Sequence, residues 1–203
     1  MRGLRAWLVL CIASAAGSAH ADDEAREGAQ VRVLVGPAYL DLSQDVGAEE
    51  AIGAAGFGYG ADIGIGVMVS DALALNTDVA FVRSDAAEDD LLGETSVTAL
   101  FVGLGATYWL MPANVFLAGS IGATRSSIEG APIRIQIEVP QSDASEVGVG
   151  VQLSLGKMFT ITRGFGLGAA FSAGWGSASN PVSGVDSHRQ AWSALLALAA
   201  TAG

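Results

Sequence analysis

The chain has 203 residues, 51% of them hydrophobic, and a formal charge of −11. An acidic surface offers nothing to offset phosphate repulsion, which excludes a nucleic-acid partner. A single lysine, Lys157, and long uncharged runs between acidic clusters are poor material for the wettable exterior of a soluble domain.

In chain order, Arg2 and Arg5 form a positive n-region and Leu8 to Ala16 an apolar stretch. Ala19-His20-Ala21 is a small-residue cleavage site before Asp22. Residues 1–21 are therefore expected to be a cleavable signal peptide; the apolar stretch is too short to span a bilayer as a helix. Cys11 lies inside it, preceded by Leu10 where a lipoprotein needs a small residue, so the mature chain is expected to lack cysteine. Loss of Arg2 and Arg5 leaves 8 basic against 21 acidic residues, a net of −13. Residues 22–29 read as a short acidic segment and residues 30–203 as one folded domain.

Within that domain apolar residues recur at period two, the strand signal. Gln30 to Leu42 carries Val31, Val33, Val35 and Tyr39 on one face. Ala55 to Val69 carries Phe57, Tyr59, Ile63, Ile65 and Val67 opposite Gly58, Gly60, Asp62, Gly64 and Gly66. Leu73 to Arg83 sets Leu75, Val79 and Phe81 against Asn76 and Asp78. Thr95 to Leu110 sets Leu100, Val102, Leu104 and Tyr108 against Gly103, Gly105 and Thr107. Three further segments follow: Val115, Leu117 and Ile121 oppose Ser120, Gly122 and Thr124; Val147 to Leu155 opposes Gly148 to Gly156, with Gln152 on the polar side; Leu167, Phe171 and Trp175 oppose Gly168, Ser172 and Gly174. The eighth, Ala191 to Thr201, turns Trp192, Leu196 and Leu198 outward.

Short turns at Ser70 to Ala72, Met111 to Asn114 and Phe159 to Gly164 alternate with longer loops. These loops cover Ser43 to Ala54, Ser84 to Glu94, Ser127 to Ala144 and Gly176 to Gln190. In the third, Ile133, Ile135, Ile137 and Val139 alternate with polar residues, as a strand extension above a membrane does. The pattern predicts an all-β, eight-stranded antiparallel up-and-down transmembrane β-barrel with its aliphatic face on lipid and Gly, Ala, Ser, Thr and Asn inside. Tyr108, Trp109 and Phe165 near the turns, and Trp175, Trp192, Phe57 and Tyr59 near the loops, are expected to form interfacial girdles.

The alternating Gly-x-Gly strands, Tyr108-Trp109 before Met111-Pro112 and the signal segment together resemble the small outer-membrane barrels: the OmpA-type transmembrane domain, OmpX and the opacity-type, porin-like adhesins. The resemblance covers Gln30 to Gly203 and is one of pattern. It implies a Gram-negative outer-membrane location and a surface role, with outer-membrane lipid, lipopolysaccharide and the barrel-assembly machinery as partners. Many such barrels end in an aromatic residue read by that machinery; this chain ends Thr201-Ala202-Gly203.

The Gly-x-Gly elements of Gly56 to Gly66 and Gly164 to Gly168 lie inside strands, without the strand–turn–helix a phosphate needs, and clear the barrel interior instead. Asp62 and Asp78 are expected to lie diagonally on the inner wall. Carboxylates this close repel unless a cation separates them, and Arg32 is the basic residue the pattern places inside. A proton or cation relay competes there with a structural Asp–Arg plug, which buried-charge pairing favours. Asn76 and Gln152 complete the inward polar set. Asp186-Ser187-His188 has hydrolase residue types but not a converging arrangement, so no catalytic residue is expected. Asp45, Glu49, Glu50, Asp85, Glu88, Asp89, Asp90 and Glu94 are acidic loop residues able to share divalent cations with lipopolysaccharide phosphates. No cofactor and no metal site are expected. The function read from this is a structural or surface-interaction barrel, with a small pore or a lipid-A-modifying enzyme as alternatives.

Overall fold

Period-two segments in hydrocarbon must pair every backbone N–H and C=O with another strand and then close, because an unpaired edge costs several kcal/mol per group. The computed structural model describes residues 28–46, 49–86, 95–111, 113–129, 147–162, 164–182 and 185–203. It shows that closure. Eight strands, β1 (Ala29–Val46), β2 (Glu49–Ser70), β3 (Leu73–Ala86), β4 (Thr95–Leu110), β5 (Val115–Glu129), β6 (Val147–Thr162), β7 (Phe165–Val182) and β8 (Val185–Ala202), run up and down in chain order. Each pairs antiparallel with its neighbours, and β8 closes on β1 from Val31↔Ala202 to Val46↔Ser187.

Both described ends lie at the short-turn rim. Gly203 N–H donates to the Gly164 carbonyl at 2.9 Å, and Met68 N–H to that of Gly28 at 3.1 Å. The β4–β5 turn uses Asn114 at φ 51°, a left-handed conformation that asparagine tolerates better than most residues. Residues 1–27, with the expected signal peptide, and Ile133 to Val139, the expected strand extension, lie outside the described residues.

The aliphatic face is outside. Leu104, Ile121, Leu196 and Leu198 are 63 to 79% exposed, and apolar residues on all eight strands share that orientation. Water would drive such a surface to aggregate, whereas acyl chains match it.

Three features depart from the sequence expectation. First, the interior is not only small and polar: Leu34, Leu40, Leu42, Phe101, Phe116 and Leu195 are buried there. Inward glycines make the room. A Cβ on Gly156 would overlap the Phe116 ring, and one on Gly103 would overlap Phe101, so at these two positions a missing side chain is matched by a large neighbour. Second, Trp109 is not interfacial. Tyr108 is exposed, and the next residue of a strand must face the other way, so Trp109 lies inside at 5% exposure, 5.4 Å from Phe116 between ring centroids. Third, two of the expected long loops are mostly strand. β1 reaches Val46 and β2 starts at Glu49; β7 reaches Val182 and β8 starts at Val185. Asp45, Glu49 and Glu50 are therefore strand residues, with Asp45 registered opposite Glu50. Antiparallel ladders continue past the lipid wherever both backbones can still pair, regardless of side-chain polarity.

Candidate functional site: a polar network inside the barrel

The inward faces of seven strands meet in one polar network, two hydrogen-bonded groups joined by an ion pair between Arg32 and Asp62. Arg32 on β1 is 3% exposed. Its Nη2 donates to Asp78 Oδ1 at 2.9 Å, its Nη1 donates to Thr107 Oγ1 at 2.8 Å, and its guanidinium lies 5.3 Å from the centre of the Phe116 ring. Thr107 on β4 in turn donates to Asn76 Oδ1 at 3.1 Å. Asn76 and Asp78, both on β3, bond to each other from Asn76 Nδ2 to Asp78 Oδ2, and Ser120 of β5 donates to the same oxygen. Asp78 thus accepts from three donors.

The β2–β3 register pairs Gly64 with Asp78 and Asp62 with Ala80, which sets the two carboxylates diagonally. Asp62 is 0% exposed and lies 3.9 Å from Arg32 Nη2, inside ion-pair range but beyond a hydrogen bond. It accepts from Gln152 Nε2 on β6 at 2.7 Å. That amide also donates to Ser172 on β7 at 3.0 Å, and Ser154 donates to Ser172 at 2.9 Å. Among the described residues, three buried polar atoms of this network have no hydrogen-bond partner, Arg32 Nε, Asp62 Oδ1 and Gln152 Oε1, and neither has Trp109 Nε1 on its turn side.

All five inward candidates from the sequence, Arg32, Asp62, Asn76, Asp78 and Gln152, lie in this network. Sequence reasoning missed Thr107 as a bridge, Ser120, Ser154 and Ser172. Their inward parity was visible, but their partners lie across the lumen, as the 90-residue separation of Asp62 and Gln152 shows. It also missed Arg189. This residue shares the inward parity of buried Ala191 and donates to the Ser126 carbonyl at 3.3 Å, reaching from β8 to β5 across the mouth.

Towards the turns the network rests on Trp109, Phe116 and Met158. Towards the loops it is followed by Leu40, Leu42, Phe101 and Leu195. A cavity of about 40 Å³ lies there, lined mostly by apolar side chains such as Leu40, Val82, Phe101 and Leu195, with Gln152, Ser172 and Ser193 as polar members of its wall. That is room for a few water molecules.

The remaining candidates lie apart from this centre. Asp85 is exposed on β3, while Glu88, Asp89, Asp90 and Glu94 lie outside the described residues. Asp186, Ser187 and His188 occupy successive positions of β8. His188 is exposed, with its Nε2 3.4 Å from Ser177 Oγ. Among the described residues no group of three His, Cys, Asp or Glu side chains is placed to hold a metal ion.

A closed eight-stranded barrel with an aliphatic exterior and a filled polar centre has the architecture of a membrane-spanning β-barrel of the outer-membrane type. No protein-family model and no curated protein matches the chain. Solved structures similar to it include Neisserial surface protein A, at 17% identity and a TM-score of 0.49, covering 87% of this chain and 99% of that one. The outer-membrane protein OprG of Pseudomonas aeruginosa has 13% identity and a TM-score of 0.46, with 89% and 99% covered. AlkL in DMPC bilayers has 14% identity and a TM-score of 0.46, with 92% and 94% covered.

Proposed function

We propose that this protein is a closed, non-conducting outer-membrane scaffold whose work is done by the acidic segments it presents at the cell surface. The observation that carries this reading is the filled interior: a network drawn from seven strands, with large apolar side chains above and below it. Eight strands leave room only for side chains, and here large ones fill the space the inward glycines leave. Lipopolysaccharide is the proposed neighbour of Asp45, Glu49, Glu50, Asp85, Glu88, Asp89, Asp90 and Glu94, through shared divalent cations.

Two measurements test it. Reconstituted in a planar bilayer, the purified barrel is expected to give no stepwise conductance in 1 M salt (a condition on the order of that used to reveal narrow pores, where screening is strong); regular ohmic steps would make it a pore. For orientation, Asp90→Cys is expected to react with a bulky impermeant maleimide on intact cells. Asp71→Cys, in the exposed β2–β3 turn, is expected to react only after the outer membrane is opened. The reverse pattern would place the acidic segments in the periplasm and end the surface reading.

A further inference from the structure

Within the central network, among the described residues, the charges do not balance. Arg32 brings one positive charge to two carboxylates, and all three groups are at least 97% buried. The partners are shared unequally. Asp78 takes the short Arg32 bond together with Asn76 and Ser120, whereas Asp62 keeps one hydrogen bond, from Gln152, and Arg32 at 3.9 Å. The unpartnered acceptors fall on the same pair: Asp62 Oδ1 and Gln152 Oε1, each with no donor, on residues 0% and 7% exposed. A buried carboxylate oxygen and a buried amide oxygen left without donors are costly unless something positive lies between them.

We propose that Asp62 Oδ1 and Gln152 Oε1 are protein ligands of a small monovalent cation of the sodium class. The cation neutralises the network, and the cavity of about 40 Å³ borders the site at Gln152, though not at Asp62. Hard oxygen donors of this kind suit such an ion. A divalent ion would overshoot the single excess negative charge. The cavity lies on the loop side of Gln152, so the ion is reached from the mouth rather than through Trp109 and Phe116. It acts as a structural counter-ion, and the inference rests on the closed interior proposed above. The two readings fail separately, because a conducting barrel is detected by current and a missing cation by melting.

The test is the melting temperature of the detergent-extracted barrel in sodium, lithium or N-methylglucamine chloride at equal ionic strength. Sodium is expected to raise it by about 5 °C over N-methylglucamine. Asp62→Asn, which removes the excess charge at nearly constant shape, is expected to melt at one temperature in all three. Equal melting of the wild type in sodium and N-methylglucamine overturns the proposal. So does a stability that tracks pH and not cation identity, which would assign the charge to a proton. Should Asp62→Asn not fold, sodium-23 line broadening by the wild-type barrel, reversed by excess lithium, serves instead; its absence overturns the site.

Discussion

Arg32→Met is expected to destabilise the barrel by about 3–5 kcal/mol, the cost of leaving a buried charge uncompensated. The change removes the donor to Asp78 at 2.9 Å, the donor to Thr107 at 2.8 Å and the nearest cation to Asp62. Two carboxylates then face each other in a sealed interior, with Phe116 beside them losing its cation–π contact. A buried ion pair is not in itself a large source of stability, since two well-packed apolar residues often do as well; breaking one half is what costs. Adding Asp78→Asn to Arg32→Met is therefore expected to recover much of the loss, because one of the stranded charges goes with it. Urea titration followed by the gel shift between folded and boiled barrel measures both. A single-variant loss under about 1 kcal/mol would mean that bulk solvent, beyond the few waters the cavity can hold, already reaches these carboxylates, and that the interior is open.

The second large effect concerns the outer face. Leu104 is 69% exposed near the middle of β4, paired across the sheet with Thr77 and Ile121. Leu104→Arg is expected to cost about 2–4 kcal/mol in a bilayer, as a cation at the midplane does. Tyr108→Arg, four residues nearer the turn, is expected to cost about 0–1. For an exposed residue of a soluble protein both changes would stay within about 0.5 kcal/mol. Unfolding from lipid vesicles separates the cases, and equal, small costs at the two depths would place water where lipid has been argued.

Much of this architecture is legible in the chain because a strand's faces follow from parity alone. Ile63, Ile65 and Val67 outside with Asp62, Gly64 and Gly66 inside is one alternation, and the closed barrel shows it as read. The same parity misleads when a second rule is allowed to overrule it. Residue type alone puts Trp109 in a girdle, although Tyr108 already holds the outward place. The ends of strands were less legible, since Asp45, Glu49 and Glu50 look like loop residues while their backbones continue a ladder that side-chain chemistry does not report. Of the network, Arg32, Asp62, Asn76, Asp78 and Gln152 could be assigned to the lumen. Which of them touch could not, because Asp62 meets Gln152 across the axis rather than along any sheet. Local spacing carries no record of such a meeting.

The pairing of absent with oversized side chains inside the barrel bears on how this protein can change over time. On the outside, Leu, Ile, Val and Phe are interchangeable to an acyl chain, so substitutions there are independent of one another. Inside, a methyl on Gly156 would meet the Phe116 ring and the Ala170 Cβ, one on Gly103 the Phe101 ring and the Ile121 carbonyl, and at Gly58, Gly122 and Gly148 the obstacle is backbone. Tolerance to mutation is therefore lopsided across a wall one residue thick: free drift on one surface, and on the other positions that several neighbours hold at once.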